Sequence, residues 1–222
     1  MAAEDLFRHE LSGAPDPQDD PYRVGRIAAA AARALGAAGA SISVQVSEVR
    51  VPFGASDATA ALAESVQFTE GVGPCIESIM TRSRVDAPAS VLRRRWPGLA
   101  ERWRTDTPYR SALSEPILLD GVTGALDVYL THDDGAAGLG THAVDTVSAL
   151  VTTCLREDFY ASIANPDVER RSVVWVAIGM TRERFGIDAS EALSRVRDQA
   201  REAGVTVDDF ARQLLIDARR LH

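Results

Sequence analysis

Residues 41–53 read SISVQVSEVRVPF, and their pattern decides the fold class. Ile42, Val44 and Val46 alternate strictly with polar residues, the period of a strand that buries one face. A second run, VRVPF at 49–53, follows after only Ser47-Glu48, so the two form a hairpin. Upstream, the alanine-rich stretch 21–37 predicts a helix that ends in glycines. Downstream, 57–68 is helical in composition, and GVGPCIESIM at 71–80 is a glycine-proline break followed by a short amphipathic helix. Residues 91–103 form another helix interrupted by Pro97. Two further strands, ALSEPILL (112–119) and GALDVYL (124–130), meet at a turn around Asp120-Gly121, and a long helix closes this half at 139–162. This order predicts an α+β unit over 21–162, an antiparallel sheet with helices packed on it. The stretch 11–22 holds three prolines and three aspartates, so residues 1–20 read as a flexible lead-in.

The pattern changes at Asn165. Asn165 suits a helix N-cap with Pro166 at the first helical position, and an apolar run follows at 173–180. Asp188 and Glu191 stand at capping-box spacing, and Thr206 and Asp209 repeat it. Ala192, Leu193, Val196, Ala200 and Ala203 form one apolar stripe; Val207, Phe210, Ala211, Leu214, Leu215 and Ala218 form another. Three short helices of this kind bury their faces only against one another. A second, three-helix domain is expected over 166–222.

Composition narrows the function. The 222 residues carry a formal net charge of −8. All of that charge lies in the first 164 residues, which argues against broad nucleic-acid binding there; 165–222 is balanced. Every basic residue is arginine, a planar fork suited to phosphate and base edges. No window of eighteen consecutive apolar residues occurs, so no membrane span is expected. The acidic start MAAEDLFRHE has no apolar core of a signal peptide, and the two cysteines read as reduced thiols in a cytoplasmic protein.

Residues 177–211, AIGMTRERFGIDASEALSRVRDQAREAGVTVDDFA, resemble the ANTAR family of transcription antitermination regulators. Ala177 and Gly179 stand where that family has its A-K-G. Arg171, Gly186, Ala192, Leu193, Arg197, Ala200 and Ala211 also fit. The match runs over about 166–220 in order and spacing. It implies binding to structured RNA hairpins in nascent transcripts, which promotes antitermination without any enzymatic step. Arg171, Ala177, Gly179, Arg182, Arg197 and Arg201 are the implied RNA-binding residues. Ile178 stands where the family has lysine, so Ile178→Lys is expected to add a phosphate contact. The front half, over about 21–162, resembles a GAF domain; its best local piece is FTEGVGPCIESI, 68–79. That resemblance implies a sensory unit with a small-molecule ligand.

Other readings compete. The tail could serve only dimerisation and bind no RNA. A GAF-fold thiol enzyme such as a sulfoxide reductase would use Cys75, which begins a helix; the plainer role for Cys75 is a small buried residue packing the turn. The four histidines and two cysteines show no metal-ligand spacing, so neither metal nor other cofactor is expected. Arg93, Arg94 and Arg95 read as a solvated helix face, Trp96 and Trp103 as packing against the sheet, and Trp175 as core or dimer interface. The apolar 139–162 helix, with Val144, Val147, Leu150, Val151, Cys154 and Leu155, predicts a homodimer. Gly179, costly within a helix, points to close approach of another helix or of RNA.

Overall fold

The computed structural model describes residues 2–13, 20, 22–46, 49–119, 121–157 and 172–220. Five antiparallel strands form one sheet: β1 (Gly39–Val46), β2 (Val49–Ala55), β3 (Val85–Ala87), β4 (Ser111–Leu119) and β5 (Val122–Leu130). Their order is β2-β1-β5-β4-β3. The hairpin and the 112–130 strand pair stand as the sequence predicts, and β5 joins them by pairing with β1. The three-residue β3 is too short to leave an alternating pattern.

The sheet has two dissimilar faces. Ala40, Ile42 and Val44 of β1, Leu113, Ile117 and Leu119 of β4, and Leu126 and Val128 of β5 point to one side. There they meet α1 (Ala3–Leu11), α2 (Arg23–Ala34) and α7 (Thr141–Glu157). Alanines 28, 30, 31 and 32 let α2 lie close, and Val144, Val147, Val151 and Leu155 of α7 complete this core. The other face carries Ser41, Ser43, Ser114, Asp127 and Tyr129, all buried. It is covered by α3 (Ala58–Glu70) and α4 (Pro74–Thr81), with α5 (Ala89–Arg95) and α6 (Pro97–Asp106) beyond them. Trp103 meets Tyr129 edge-on at 5.5 Å, and its indole N–H donates to the Ala63 carbonyl at 2.9 Å.

Two expectations change. Residues 3–11 are not a flexible lead-in: they form α1, which buries Phe7 to 1% exposure against α2 and α7. The prolines that suggested flexibility begin only at Pro15, within 14–19, which lies outside the described residues. Much of the apolar stripe of α7, read as an association surface, packs inside the chain against α1 and α2, with Leu150 and Cys154 partly buried at its edge.

The tail forms α8 (Ser172–Phe185), α9 (Ala189–Glu202) and α10 (Val207–Arg220). Asp188 caps α9 by accepting from the Glu191 N–H at 2.8 Å, and Thr206 Oγ1 accepts from the Asp209 N–H at 3.2 Å at the start of α10. Gly186 and Gly204 take left-handed φ of 66° and 69° at the two turns. The module core is Val174, Ala177, Ile178, Ala192, Leu193, Val196, Ala200, Val207 and Ala211, and Phe68 of α3 inserts into it. The expected boundary at Asn165-Pro166, and the ends of the helices predicted at 139–162 and from 166, lie outside the described residues. No described residue beyond 166 is in a strand.

Candidate functional site

Helix α3 lies between the sheet and the three-helix module. Asp57 caps it, accepting from the Thr59 and Ala60 N–H groups at 2.8 and 3.0 Å, and Gly71 closes it at φ 71°. Its residues Ala63 through Thr69 are all buried, because the sheet lies on one side and the three-helix module on the other. Glu64, Ser65, Gln67 and Thr69 are thus buried polar groups, and each must find a partner.

On the sheet side that partner network is charged. The Arg50 Nη1 donates to the Glu64 carboxylate, to Ser43 Oγ at 3.1 Å and towards Cys75 Sγ at 3.4 Å. Ser43 Oγ also donates to Glu64 at 2.7 Å. Gln67 bridges to the next layer: its Nε2 donates to Asp127 at 3.1 Å, while its Oε1 accepts from the Cys75 N–H at 3.0 Å. Gly73 is required for this bridge. It sits at φ 146°, and a Cβ there would fall 2.3 Å from the Gln67 oxygen. Ser114 donates to the remaining oxygen of Asp127.

The ligand atoms of Glu64, Cys75 and Asp127 lie within 4.8 Å of one another, a set able to hold a metal by donor type. The cation already held at Glu64 and Cys75 is the Arg50 guanidinium. Burial is the largest influence and opposes its charge, but the combined attraction of Glu64, Cys75, Asp127 and Tyr129 outweighs it and keeps Arg50 firmly protonated. Arg50 Nε and Nη2 and Ser78 Oγ are buried donors with no partner among the described residues. Cys75 is fully buried, and burial together with the charges of Asp127 and Glu64 pushes its thiol up. A thiol held protonated is a poor nucleophile. The structure therefore gives Cys75 the packing role, beside Ile79 and Ala125.

Asp127 is pushed up to about 7, by burial first and by the Glu64 charge second. Its ordinary value is 3.8, so between about 4 and 7 the folded chain holds a proton that the unfolded chain has released. Stability from this group is full below the lower value and falls as pH rises through the window. Asp127→Asn removes the titration while keeping an acceptor for Gln67 and a donor for Ser114. Denaturant midpoints from pH 5 to 8 should show the wild type losing stability relative to Asp127→Asn, by at most about 1.4 kcal/mol per pH unit. Parallel curves would contradict this account of the buried cluster.

The sequence-predicted RNA residues do not form one patch. Ala177 is wholly buried, a core residue that cannot touch RNA. The matching small residues Ala192, Ala200 and Ala211 are buried with it, so this part of the family pattern encodes packing. Ile178 is also core, at 4% exposure, so a lysine there would bury its ammonium and would not reach phosphate. Gly179 and Arg182 are exposed on α8; a Cβ at Gly179 would meet no atom of the described residues within 4 Å. Arg197 and Arg201 point the other way, onto α3. Arg197 Nε donates to the Phe68 carbonyl at 2.8 Å, its guanidinium lies 4.8 Å from the Phe68 ring, and Arg201 Nη1 reaches the Glu70 carbonyl at 3.3 Å. Desolvation, with the neighbouring charges of Arg50 and Arg201, brings Arg197 down to about 10. Arg171 lies outside the described residues. Elsewhere, Arg93, Arg94 and Arg95 are solvent-exposed and Trp103 packs on the sheet, as expected; Trp175, read as core or interface, is 38% exposed.

A cleft of about 590 Å³ opens beside this junction. Its walls are Gly25, Arg26 and Ala29 of α2, Gly54 and Ala55 of β2, Ala61 and Ser65 of α3, and Asp208 and Arg212 of α10. Gly, Ala and Ser supply much of the wall, which leaves the space open. No sequence signal marked it, because its walls join three elements within residues 23–70 to α10, which begins only at Val207.

Neither protein-family models nor curated proteins match this chain. Among solved structures, the GAF domain of a phosphoenolpyruvate-protein phosphotransferase from Coxiella burnetii is similar, with 14% identity and a TM-score of 0.51 over 72% of this chain and 95% of that one. The fold is that of a GAF domain. Two further structures are similar at lower TM-scores and add no argument. One is the GAF domain of the Acinetobacter phosphotransferase, at 16% identity, 71% and 94% coverage and TM-score 0.47. The other is the Neisseria meningitidis free methionine-R-sulfoxide reductase, at 15% identity, 72% and 89% coverage and TM-score 0.44. In the described residues of the GAF unit and its module, no helix is long and apolar enough to cross a membrane.

Proposed function

We propose that this chain is a cytoplasmic regulator and not an enzyme, in which the GAF unit takes a small molecule and the three-helix module binds structured RNA to promote antitermination. The observation that carries the RNA reading is Gly179 with Arg182, one turn apart on the solvent side of α8. A glycine within a helix costs about 1 kcal/mol relative to alanine. Among the described residues Gly179 returns nothing for that cost: its backbone is helical, and no described atom lies over its Cα. A flat spot beside an exposed arginine without a partner among the described residues is what close approach of a phosphate backbone needs. The cleft against α10 supplies the matching sensory feature, since a ligand there touches both the GAF unit and the module.

Gly179→Ala separates the RNA role from a structural one. Alanine should stabilise the module by about 0.5–1 kcal/mol in denaturant melts and should weaken retention of a two-hairpin RNA. Arg182→Ala should weaken it too, and make the logarithmic salt slope shallower by about one unit. If Gly179→Ala and Arg182→Ala retain RNA as the wild type does across the salt series, this face is not the RNA site.

A further inference from the structure

A second cleft, of about 270 Å³, lies among α5, α6 and the entry to β4, and it shares no lining residue with the cleft beside α10. Its floor is apolar and fixed. Leu92, Trp103 and Tyr109 are almost wholly buried there. Tyr109 stacks on Tyr129 at 4.8 Å, Trp103 meets the same ring edge-on, and the Trp103 N–H is already given to the Ala63 carbonyl. Pro97 and Ala100 of α6 are too short to fill the space. The rim is charged and unbalanced. Arg93, Arg104 and Arg110 line it, with Glu101 as the one acid among the described residues. The first 164 residues carry the whole net charge of −8, so this is a local excess of the opposite sign. Glu101 is taken by Arg104, whose Nε and Nη2 donate to its two oxygens at 3.1 and 2.7 Å. Arg93 has only Asp133 at 4.0 Å, both groups in solvent, a pair worth little. Arg110 has no carboxylate partner among the described residues. Its Nη1 donates to the Thr107 and Tyr109 carbonyls at 3.1 and 2.8 Å. That anchors the guanidinium and leaves its Nε–Nη2 edge, which suits two parallel bonds to an anion, without a partner among the described residues.

We infer that this cleft binds a small amphipathic anion, a carboxylate or phosphate carried on one ring or a short apolar chain. Arg110 and Arg93 take the anionic group, and the floor of Leu92 and Trp103 takes the apolar body. Volume sets the size: the cleft falls just under the range of pockets that hold drug-sized ligands. Charge sets the class. A neutral molecule of the same shape forgoes both arginines, and a cation meets two charges of its own sign. The inference deepens the reading that the GAF unit takes a small molecule, by naming a ligand class at a second site. Neither the RNA reading nor the cleft beside α10 depends on it.

The test titrates the full chain calorimetrically at low salt with benzoate, phenyl phosphate, benzyl alcohol and benzylamine, and thermal melts check that each variant folds. Benzoate or phenyl phosphate should bind, and the tighter of the two tells carboxylate from phosphate. Benzyl alcohol and benzylamine should bind roughly tenfold more weakly or worse. Arg110→Gln keeps a donor for the two carbonyls and should weaken anion binding roughly tenfold. Arg93→Gln lies at an exposed position where folding is not at stake, and should weaken it roughly threefold. Arg8→Gln makes the same change of charge on α1, across the sheet, and should leave binding as it is. Equal affinity for benzoate, phenyl phosphate and benzyl alcohol overturns the inference, because the cleft is then apolar only. A loss in Arg8→Gln as large as in Arg110→Gln overturns it too, because bulk charge then suffices. Anion binding that survives both Arg110→Gln and Arg93→Gln places the probe elsewhere, which overturns this site and spares the small-molecule reading. No binding of any probe in the millimolar range overturns this site and leaves the cleft beside α10 to ligands of other chemistry.

Discussion

Arg50→Met is expected to destabilise the GAF unit by about 3–5 kcal/mol, because it leaves the Glu64 carboxylate buried without its cation. Glu64 is 2% exposed and shares its oxygens with Ser41 and Ser43, whose hydroxyls do not replace a guanidinium. The cost should come from the orphaned charge more than from lost packing, so Arg50→Met with Glu64→Leu should recover much of it. Chemical denaturation of the two singles and the double closes this cycle. A double mutant as unstable as the sum of its singles would show that Arg50 and Glu64 are not coupled.

Phe68→Ala carries a comparable cost through a different physical term. Phe68 is 2% exposed, packs into the three-helix core from α3 and has the guanidinium groups of Arg50 and Arg197 at 5.7 and 4.8 Å from its ring centre. Truncation should cost about 3–5 kcal/mol. The loss should fall on docking: amide exchange should rise at Val207 and over the last turn of α3, while the core of α1, α2 and α7 keeps its protection. Uniform loss of protection through the sheet would show instead that the two units unfold as one.

The alternation in SISVQV was enough to place β1, and Ile42 and Val44 do bury one face of the sheet. The same pattern hides what lies on the other face. Ser41 and Ser43 look like residues turned to water, but α3 covers them and they bond to Glu64. Helix α3 was legible as a helix and no further. Seven consecutive buried residues leave no amphipathic stripe, because a helix packed on two sides has no solvent face. Gln67, whose amide joins Asp127 to the Cys75 backbone, carries no local signature of that role. The tail was legible to the level of its caps: Asp188 and Thr206 sit where spacing put them. Its resemblance misassigned Ala177, since a position matched for packing and one matched for contact look alike in a single sequence. The use of Arg197 on Phe68 depends on a contact 129 residues away in the chain. Nothing short of the fold reveals it.

The measurement closest to the central claim is ultraviolet crosslinking of the full chain to cellular RNA, with the crosslinked peptides identified by mass spectrometry and the RNA sequenced. The account predicts crosslinks on α8, in peptides that include Gly179 and Arg182, to transcripts enriched in paired hairpins. It predicts that they diminish in Arg182→Ala. Crosslinks confined to the GAF unit, or none above background, would contradict RNA binding by the three-helix module.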